Sequence, residues 1–297
     1  MSEANGASKR TLSVAKKDFR DASQSRALWA LVAVFVILTL ISAYTFVEAP
    51  ELLGTPGTPT FEGLLFFIAA MAALFVPLAA IITCYKSLAG EREIGSIKVL
   101  MALPATRSDV FFGKVLGRGA VLATALGVGI LVGLAFGSIL LGSVDILAAL
   151  VFLLVTLLFV VVYAGIMVSL SATTGSTVRA TTYALGFFVV FELLWDIVPL
   201  GILYVTEGFQ LPAQIPDWFM TVAMVAPATA YFSTMNVLLP DGDSETANGG
   251  GAGVEVDVGI EYGEPFYASA EMGIVFLLLW LVVPLAVGYY RFNRADL

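Results

Sequence analysis

Six apolar runs, each long enough to cross a lipid bilayer, set the main constraint on how this chain can fold. A membrane-crossing helix needs roughly 20 consecutive apolar residues. The runs lie at about 27–47, 64–85, 115–141, 146–170, 180–203 and 272–290. Backbone N–H and C=O groups find no water in the hydrocarbon core, so each run should form a helix. The pattern therefore predicts an all-α membrane protein with six transmembrane helices.

The composition agrees and excludes several kinds of chemistry. Charged residues make up 13% of the chain, against about 25% in a typical soluble domain. The sequence has no histidine and no G-x-x-x-x-G-K-[ST] phosphate loop, which removes Ser-His catalysis and nucleotide binding of that kind. Its one cysteine, Cys84, is interpreted as a small apolar residue at a helix end. We predict a chain that is not an enzyme, with no catalytic residue, metal, cofactor or nucleic-acid partner.

The placement of basic residues predicts the orientation in the membrane. Lys and Arg concentrate in cytoplasmic loops and flanks. With six spans, the N-terminus, loops 2–3 and 4–5 and the C-terminus lie on one side, and all 15 bases of the chain fall there. They are Lys9, Arg10, Lys16, Lys17, Arg20 and Arg26, then Lys86, Arg92, Lys98, Arg107, Lys114 and Arg118, then Arg179, and finally Arg291 and Arg294. We therefore predict a multi-pass protein of the cell (cytoplasmic) membrane with both termini in the cytoplasm.

Acidic residues follow the opposite pattern. They concentrate in segments 48–62 and 196–271 and at Asp145, which are predicted to face outward and contain no base. Two interpretations stay open: an outward cation-binding surface, or the hydrated surface of a protein from a salt-adapted, halophilic microbe. The acids are scattered and lack the spacing of a calcium loop, which favours the second interpretation.

The chain divides into a basic N-terminal segment, 1–26, and one six-span domain, 27–297. In the first segment, apolar residues recur at helical spacing, and the bases lie mainly off that stripe. The stripe is formed by Leu12, Ala15, Phe19 and Ala22. This pattern favours an amphipathic helix on the inner leaflet over a disordered basic tail.

The third run carries a ridge of small residues. Gly129, Gly133 and Gly137 recur every four residues, and such a ridge lets another helix approach closely. A partner helix in the same subunit is favoured, and one in a second subunit stays open.

Glu192 is the acid that lies well inside an apolar run, and Asp196 follows one turn further out. A charge at that depth is costly, which makes it a functional-site hypothesis. One interpretation is that the two carboxylates line a translocation path. The other is that Glu192 is protonated or hydrogen-bonded to a neighbouring helix.

The predicted outer segment between spans 5 and 6, 204–271, has three parts. Its first half is apolar and broken by Pro227, which predicts short re-entrant or interfacial helices. A Gly-rich polar stretch follows, and residues 254–262 then alternate as in a half-buried strand. The acidic part, 240–264, has no role assigned by its sequence.

A charged island lies between runs 2 and 3. Ile94, Ile97 and Met101 are spaced as on one helix face, which predicts an amphipathic helix from Glu91 to about Leu103. A proline then interrupts it, because proline cannot continue a helix. Thr106 and Asp109 have the spacing of a capping box, which predicts that a new helix begins here and runs into span 3.

This island resembles the signature loop of type-2 ABC transporter permeases. The matching residues are Glu91, Arg92, Glu93, Gly95, Ser96, Leu100, Leu103, Pro104, Arg107, Gly113 and Lys114. The overall plan also resembles the permeases involved in maturing nitrous-oxide reductase. The resemblance implies a permease of an ABC transporter, interpreted as an exporter, in a homo- or heterodimer with two ATPase subunits on the cytoplasmic face.

In that family the segment 91–104 would be the coupling helix that contacts the ATPase. The residues this assigns to the interface are Glu91, Arg92, Glu93, Gly95, Ser96, Leu100, Leu103, Pro104 and Arg107. The resemblance also implies short re-entrant helices in the outer segment. Two other functions stay open from the residues alone: a membrane scaffold or assembly factor that needs no energy source, and a secondary transporter that uses Glu192.

Overall fold

The computed structural model describes residues 2–53, 59–97, 106–210, 215–239 and 269–295, and these ranges contain helices and no strand. The helices are α1 (Ser2–Ser23), α2 (Arg26–Leu53), α3 (Phe61–Cys84), α4 (Ala89–Glu93), α5 (Arg107–Leu141), α6 (Ile146–Ala172), α7 (Thr177–Phe188), α8 (Ile197–Thr206), α9 (Asp217–Ala223), α10 (Pro227–Leu238) and α11 (Met272–Asn293). A π-helical segment, Val189–Leu194, continues α7. The predicted strand at 254–262 and the acidic stretch 240–264 lie outside the described residues.

Among the described residues, six helical segments are long and apolar enough to cross a membrane, which confirms the predicted number of spans. They are Arg26–Glu48, Phe61–Glu93, Arg107–Leu141, Ile146–Ala172, Thr177–Leu194 and Met272–Asn293. The fifth span differs most from its prediction. The predicted helix over 180–203 is divided into α7, the π-helical segment and α8.

The spans form a centre and a periphery. α3, α5 and α6 supply most of the buried side chains, including Leu64, Phe111, Phe159 and Tyr163, each less than 2% exposed. α2, α7 and α11 are much less buried and expose many large apolar side chains. These outer faces are available to lipid or to another subunit.

α2 of the same chain packs against the glycine ridge of α5. A Cβ added to Gly129 would lie 2.8 Å from Phe35 Cβ, and one added to Gly133 would lie 2.5 Å from Thr39 Cβ. The backbones approach so closely that Thr39 Oγ1 donates a hydrogen bond to Gly129 O at 2.7 Å. Gly137 meets Leu64 of α3 and Ala43 of α2. Small residues allow this contact because a side chain would separate the helices.

The N-terminal segment is helical and packs on the start of α5. Val14 lies against Gly113, and Ala15 O and Asp18 lie against Gly117. Leu12, on the apolar stripe predicted to lie on the inner leaflet, is 64% exposed, whereas Ala15 of the same stripe is buried. The face of α1 that contacts α5 includes Val14, Ala15 and Asp18, for which the two glycines leave room.

The short helices α9 and α10 are anchored by side chains of three spans. Trp195 Nε1 donates to Val222 O at 2.9 Å, and Trp280 Nε1 donates to Val225 O at 2.7 Å. Tyr231 is fully buried on α10, and its hydroxyl lies 2.7 Å from Thr156 Oγ1 of α6. The apolar half of the outer segment is thus held in place by indole and hydroxyl hydrogen bonds.

Candidate site at the basic end of the helix bundle

One end of the bundle collects most of the charged side chains that the structure describes. Here the starts of α5 and α7 and the ends of α3, α6 and α11 meet α1 and α4. We call this region the basic end, after Arg10, Arg107, Lys114 and Arg118. It contains the described part of the charged island.

A capping box begins α5, as the sequence predicted. Thr106 Oγ1 accepts a hydrogen bond from Asp109 N, and Asp109 Oδ2 accepts one from Thr106 N at 3.0 Å. The same carboxylate receives Arg10 Nε at 3.1 Å and Thr11 Oγ1 at 2.9 Å. Asp109 therefore caps α5 and fastens α1 to it.

The island contains a shorter helix than the sequence predicted. α4 ends at Glu93, and Gly95 adopts a φ of +74°, a conformation that glycine adopts without steric cost. Helical geometry resumes at Ser96–Ile97. The helix expected from Glu91 to about Leu103 is therefore interrupted, and its later part, 98–105, lies outside the described residues.

Some expected interface residues fall in that undescribed stretch, namely Leu100, Leu103 and Pro104. Around the turn, Ser96 Oγ donates to Glu91 O at 3.4 Å. Ile97 is buried in the core, whereas Ile94 is 77% exposed.

Glu91 belongs to a group of four charges in which Lys114 and Asp18 are buried and Glu91 and Arg118 are partly exposed. Lys114 Nζ donates to Glu91 Oε1 at 2.6 Å and to Asp18 Oδ1 at 2.8 Å. Arg118 Nε lies 3.0 Å from Asp18 Oδ2, and Arg118 Nη1 donates to Thr83 O at 3.1 Å. Two acids and two bases thus connect α1, α4, α5 and the end of α3. Burial of these charges is tolerated because each has an opposite charge in contact.

Arg92 and Glu93, the two residues after Glu91 in the Glu91–Arg92–Glu93 triplet, contact two further spans. Arg92 Nη1 donates to Ala172 O at 3.3 Å, at the end of α6. Glu93 Oε2 accepts a hydrogen bond from Thr177 N at 2.8 Å, at the start of α7. Glu91, Arg92 and Glu93 therefore connect α4 to the third, fourth and fifth spans in turn.

Arg107 contacts the sixth span. Its Nη1 donates to Asn293 O and Ala295 O, both at 2.7 Å, and to Phe292 O at 3.2 Å. These carbonyls lie at the end of α11, where a helix leaves its last acceptors without intrahelical donors. A cation is also favoured at a helix C-terminus by the helix dipole. Arg107 thus caps α11 from outside.

An open cleft of about 660 Å³ lies between α4 and α7 in the described structure. Its walls include Lys86, Glu93, Ile94, Thr177 and Thr181. The Glu93–Thr177 hydrogen bond crosses from one wall to the other. The shape of the cleft therefore depends on how α4 and α7 are joined.

Glu192 lies apart from the basic end, within the π-helical segment of the fifth span. Its Oε1 is buried and meets no hydrogen-bond partner among the described residues. Asp196 follows on the exposed surface at the start of α8. π-Helical turns are often found at functional sites. The two carboxylates are therefore close in sequence but differ in burial.

Three partners of the island were not expected from the sequence: Asp18, Ser171 and Thr177. The role of Asp18 could have been found from the sequence, because Asp18 is an acid between Ala15 and Phe19 on the apolar stripe of α1, where a charge needs a partner. Ser171 Oγ accepts hydrogen bonds from the N–H groups of Leu88 and Ala89, at the start of α4. Thr177 contributes a backbone N–H. Neither contact has a signature in the sequence.

Carboxylate and thiol groups do not gather into a metal site in the part of the chain that the structure describes. The sequence also lacks histidine. The contacts described at the basic end are ion pairs and helix caps.

Comparison with known proteins agrees with this architecture. The family model described as ABC-2 family transporter protein matches residues 12–297. The chain therefore belongs to the ABC-2 transporter family and is a multi-pass membrane protein. The family to which the charged island pointed is confirmed.

Two relatives extend over nearly the same length. The chain is 27% identical over 291 residues to the probable ABC transporter permease protein NosY of Pseudomonas aeruginosa, which covers 95% of this chain and 97% of that protein. It is 26% identical over 286 residues to the protein of the same name from Stutzerimonas stutzeri, again covering 95% and 97%. Membership of the family implies partnership with an ATP-binding subunit.

Proposed function

We propose that this chain is the permease subunit of an ABC exporter and that a separate ATPase subunit drives it through the segment 91–104. The observation that carries the proposal is the set of contacts made by the connection between spans 2 and 3, which consists of α4, the residues after it and the start of α5. Between them, Glu91, Arg92, Glu93 and Arg107 reach the third to sixth spans. A push on such a connection moves several membrane helices together.

The ATP-binding site belongs to another chain in this proposal, because the sequence has no phosphate loop. The ATPase approaches from the cytoplasm, which we assign to the basic end. The distribution of all 15 bases supports this orientation. Both described ends of the chain lie there, since α1 packs on the start of α5 and the end of α11 meets Arg107.

Two further parts of the assembly follow from the surfaces. A second permease subunit, identical or related, and the lipid bilayer cover the exposed apolar faces of α2, α7 and α11. α1 lies at the inner leaflet, where Lys9, Lys16, Lys17 and Arg20 are all exposed. The short helices α9 and α10 occupy the opposite, outward part of the bundle as re-entrant helices.

Glu192 and Asp196 line the translocation path in this proposal. The unpartnered Oε1 of Glu192 supports it, because a carboxylate inside a span needs a polar partner that the described residues do not supply. The same observation favours a second function, a secondary transporter that uses Glu192 as its ion site. The two proposed functions differ in their energy source. The ABC exporter requires ATP, and the secondary transporter requires an ion gradient.

Purification from native membranes tests the leading proposal. A tagged chain should bring down an ATP-binding subunit, and the complex should hydrolyse ATP. In inside-out vesicles, transport should depend on ATP and continue when an ionophore collapses the ion gradient. Recovery of the chain without any ATPase, in membranes that support its function, would favour a scaffold instead.

Substitutions in α4 test whether this connection couples ATP hydrolysis to transport. Glu91→Ala combined with Arg92→Ala should leave ATP hydrolysis but uncouple it from transport. The matched control is Lys17→Ala combined with Asp21→Ala, which removes one base and one acid from exposed positions of α1. Normal coupling in the first pair would remove the role assigned to these residues.

A further inference from the structure

We propose that Glu93 is a positioning residue that holds the start of the fifth span to α4, rather than a residue that binds the ATPase. This inference rests on the proposed function and adds a residue-level route from the connection to the fifth span. The contact that carries it is the hydrogen bond from Thr177 N to Glu93 Oε2, at 2.8 Å.

The start of α7 lacks a cap of its own. Ser176 occupies the N-cap position with an extended backbone, and its side chain makes no capping hydrogen bond. The first N–H groups of a helix need acceptors, and a carboxylate is favoured there by the helix dipole. Glu93 supplies that acceptor from a different helix. The two helices are 84 residues apart in the chain at this contact.

The other end of the same turn is held by α4 as well. Ser171 Oγ accepts hydrogen bonds from Leu88 N at 3.2 Å and Ala89 N at 3.0 Å. Arg92 Nη1 donates to Ala172 O. The turn between α6 and α7 is thus bound to α4 before and after, at Ser171–Ala172 and at Thr177. A displacement of α4 carries the end of the fourth span and the start of the fifth span with it.

Glu91, Arg92 and Glu93 also differ in the groups with which their side chains interact. Glu91 pairs with Lys114, and Arg92 donates to a neutral carbonyl at the end of α6. Glu93 is the exposed member, yet its carboxylate faces Thr177 across the cleft. By contrast, Ile94, which follows α4 and lines the same cleft, is apolar and 77% exposed. Glu93 therefore acts within the chain rather than toward a partner.

Substitution at Thr177 isolates this hydrogen bond. Thr177 is the first residue of α7, where proline is well tolerated because its fixed φ suits a helix and its N–H is not used within the helix. Ser176 is already extended, as required before proline. Thr177→Pro therefore removes the donor and keeps the helix start. Thr177→Ala separates the two donors of this residue, since it removes the hydroxyl, which also interacts with the Glu93 carboxylate, but keeps the backbone N–H.

Distance measurement between spin labels provides the readout. Cys84 is the sole cysteine, so Cys84→Ala gives a background for Ile94→Cys, directly after α4, and Thr182→Cys on α7, both at exposed positions. In the full chain with its ATPase, without nucleotide, the parent and Thr177→Ala should give one narrow distance. Thr177→Pro and Glu93→Ala should lose it and give a broad distribution. Glu93→Ala also serves if Thr177→Pro fails to fold.

Nucleotide then tests transmission. In the parent, addition of ATP and vanadate should leave the distance between α4 and α7 unchanged, because the two helices move together. In Thr177→Pro the ATPase should stay bound while this distance changes on ATP addition. A narrow, unaltered distance in both Thr177→Pro and Glu93→Ala overturns the proposal. So does loss of the ATPase from the Glu93→Ala complex, which would place Glu93 in the docking contact. If no ATPase joins even the parent chain, the proposed function fails, and the nucleotide-free distances still decide the role of Glu93.

Discussion

Lys114 and Glu91 are 23 residues apart in the chain, yet Lys114 Nζ donates to Glu91 Oε1 at 2.6 Å. The lysine belongs to the third span and the glutamate to α4. The lysine side chain is 8% exposed and also contacts Asp18, which is 6% exposed. The third span, α4 and the N-terminal helix are therefore joined by one buried ammonium group.

Removal of this ammonium group should destabilise the chain strongly. Lys114→Met leaves the buried Asp18 carboxylate and the partly exposed Glu91 carboxylate near each other with a single base, Arg118. Breaking a buried pair by deleting one partner costs about 3–5 kcal/mol. The expected result is a lower midpoint of thermal unfolding for the detergent-solubilised protein.

Lys17→Met is the control for Lys114→Met, because Lys17 is exposed on α1. It should change stability by less than about 0.5 kcal/mol. Adding Glu91→Gln to Lys114→Met should recover part of the loss, since one unpaired charge is then removed. Strictly additive effects of the two substitutions would show that the contact is not formed.

The third span should tolerate a methyl group away from the glycine ridge and not on it. A Cβ at Gly133 would lie 2.5 Å from Thr39 Cβ, so Gly133→Ala must push α2 and α5 apart and weaken the bond from Thr39 to Gly129. Overpacking of this kind costs about 1–3 kcal/mol. Gly127→Ala is the matched control on the same helix, because no atom lies within 4 Å of its added Cβ. Thermal unfolding of both variants measures the difference, and equal midpoints would contradict the packing.

Two buried tyrosines should respond oppositely to loss of their hydroxyl groups. Tyr231 OH lies 2.7 Å from Thr156 Oγ1, so Tyr231→Phe should cost about 1 kcal/mol. Tyr163 is equally buried, but its hydroxyl has no hydrogen-bond partner among the described residues. Tyr163→Phe should therefore be neutral or stabilising. Chemical denaturation of the two variants in parallel tests this order, and a larger loss at Tyr163 would reverse it.

The end of α11 should fray when its external cap is removed. Arg107→Ala deletes the donor to Phe292, Asn293 and Ala295, and the helix dipole loses a nearby cation. This should favour local opening by about 0.3–1 kcal/mol. The measurement is faster backbone hydrogen exchange over residues 290–295. Arg291→Ala, at an exposed position of the same helix, should have a smaller effect; equal rates in the two variants would exclude the cap.

Much of the fold could be predicted from the sequence because its causes are local. A run of apolar residues must form a helix in lipid whatever its neighbours are, and six such runs predicted six spans. Thr106 and Asp109 interact within one turn, so their spacing predicted the start of α5. The family was indicated by the island for a related reason, since its residues are contiguous in the chain.

The candidate site was predicted less well, since its contacts join distant residues. The contact of Glu91, Arg92 and Glu93 with an ATPase stays a prediction, whereas their contacts within the chain, to Lys114, Ala172 and Thr177, were not predicted. Two of those contacts use backbone atoms, which carry no signature in the sequence. The interruption at Gly95 was also missed, because the apolar spacing of Ile94 and Ile97 continued across it.

Apolar length and the capping spacing were sufficient to predict six spans and the start of α5, and the resemblance of the charged island indicated the family. Each depends on residues within about one helix length. Tertiary packing alone decided which contacts the charged island makes. Lys114 lies between two acids, Glu93 accepts a hydrogen bond from the first turn of α7, and Arg107 donates to the end of α11. These contacts arise because the close approach of helices at one end of the bundle brings opposite charges, and unsatisfied helix termini, within hydrogen-bonding distance.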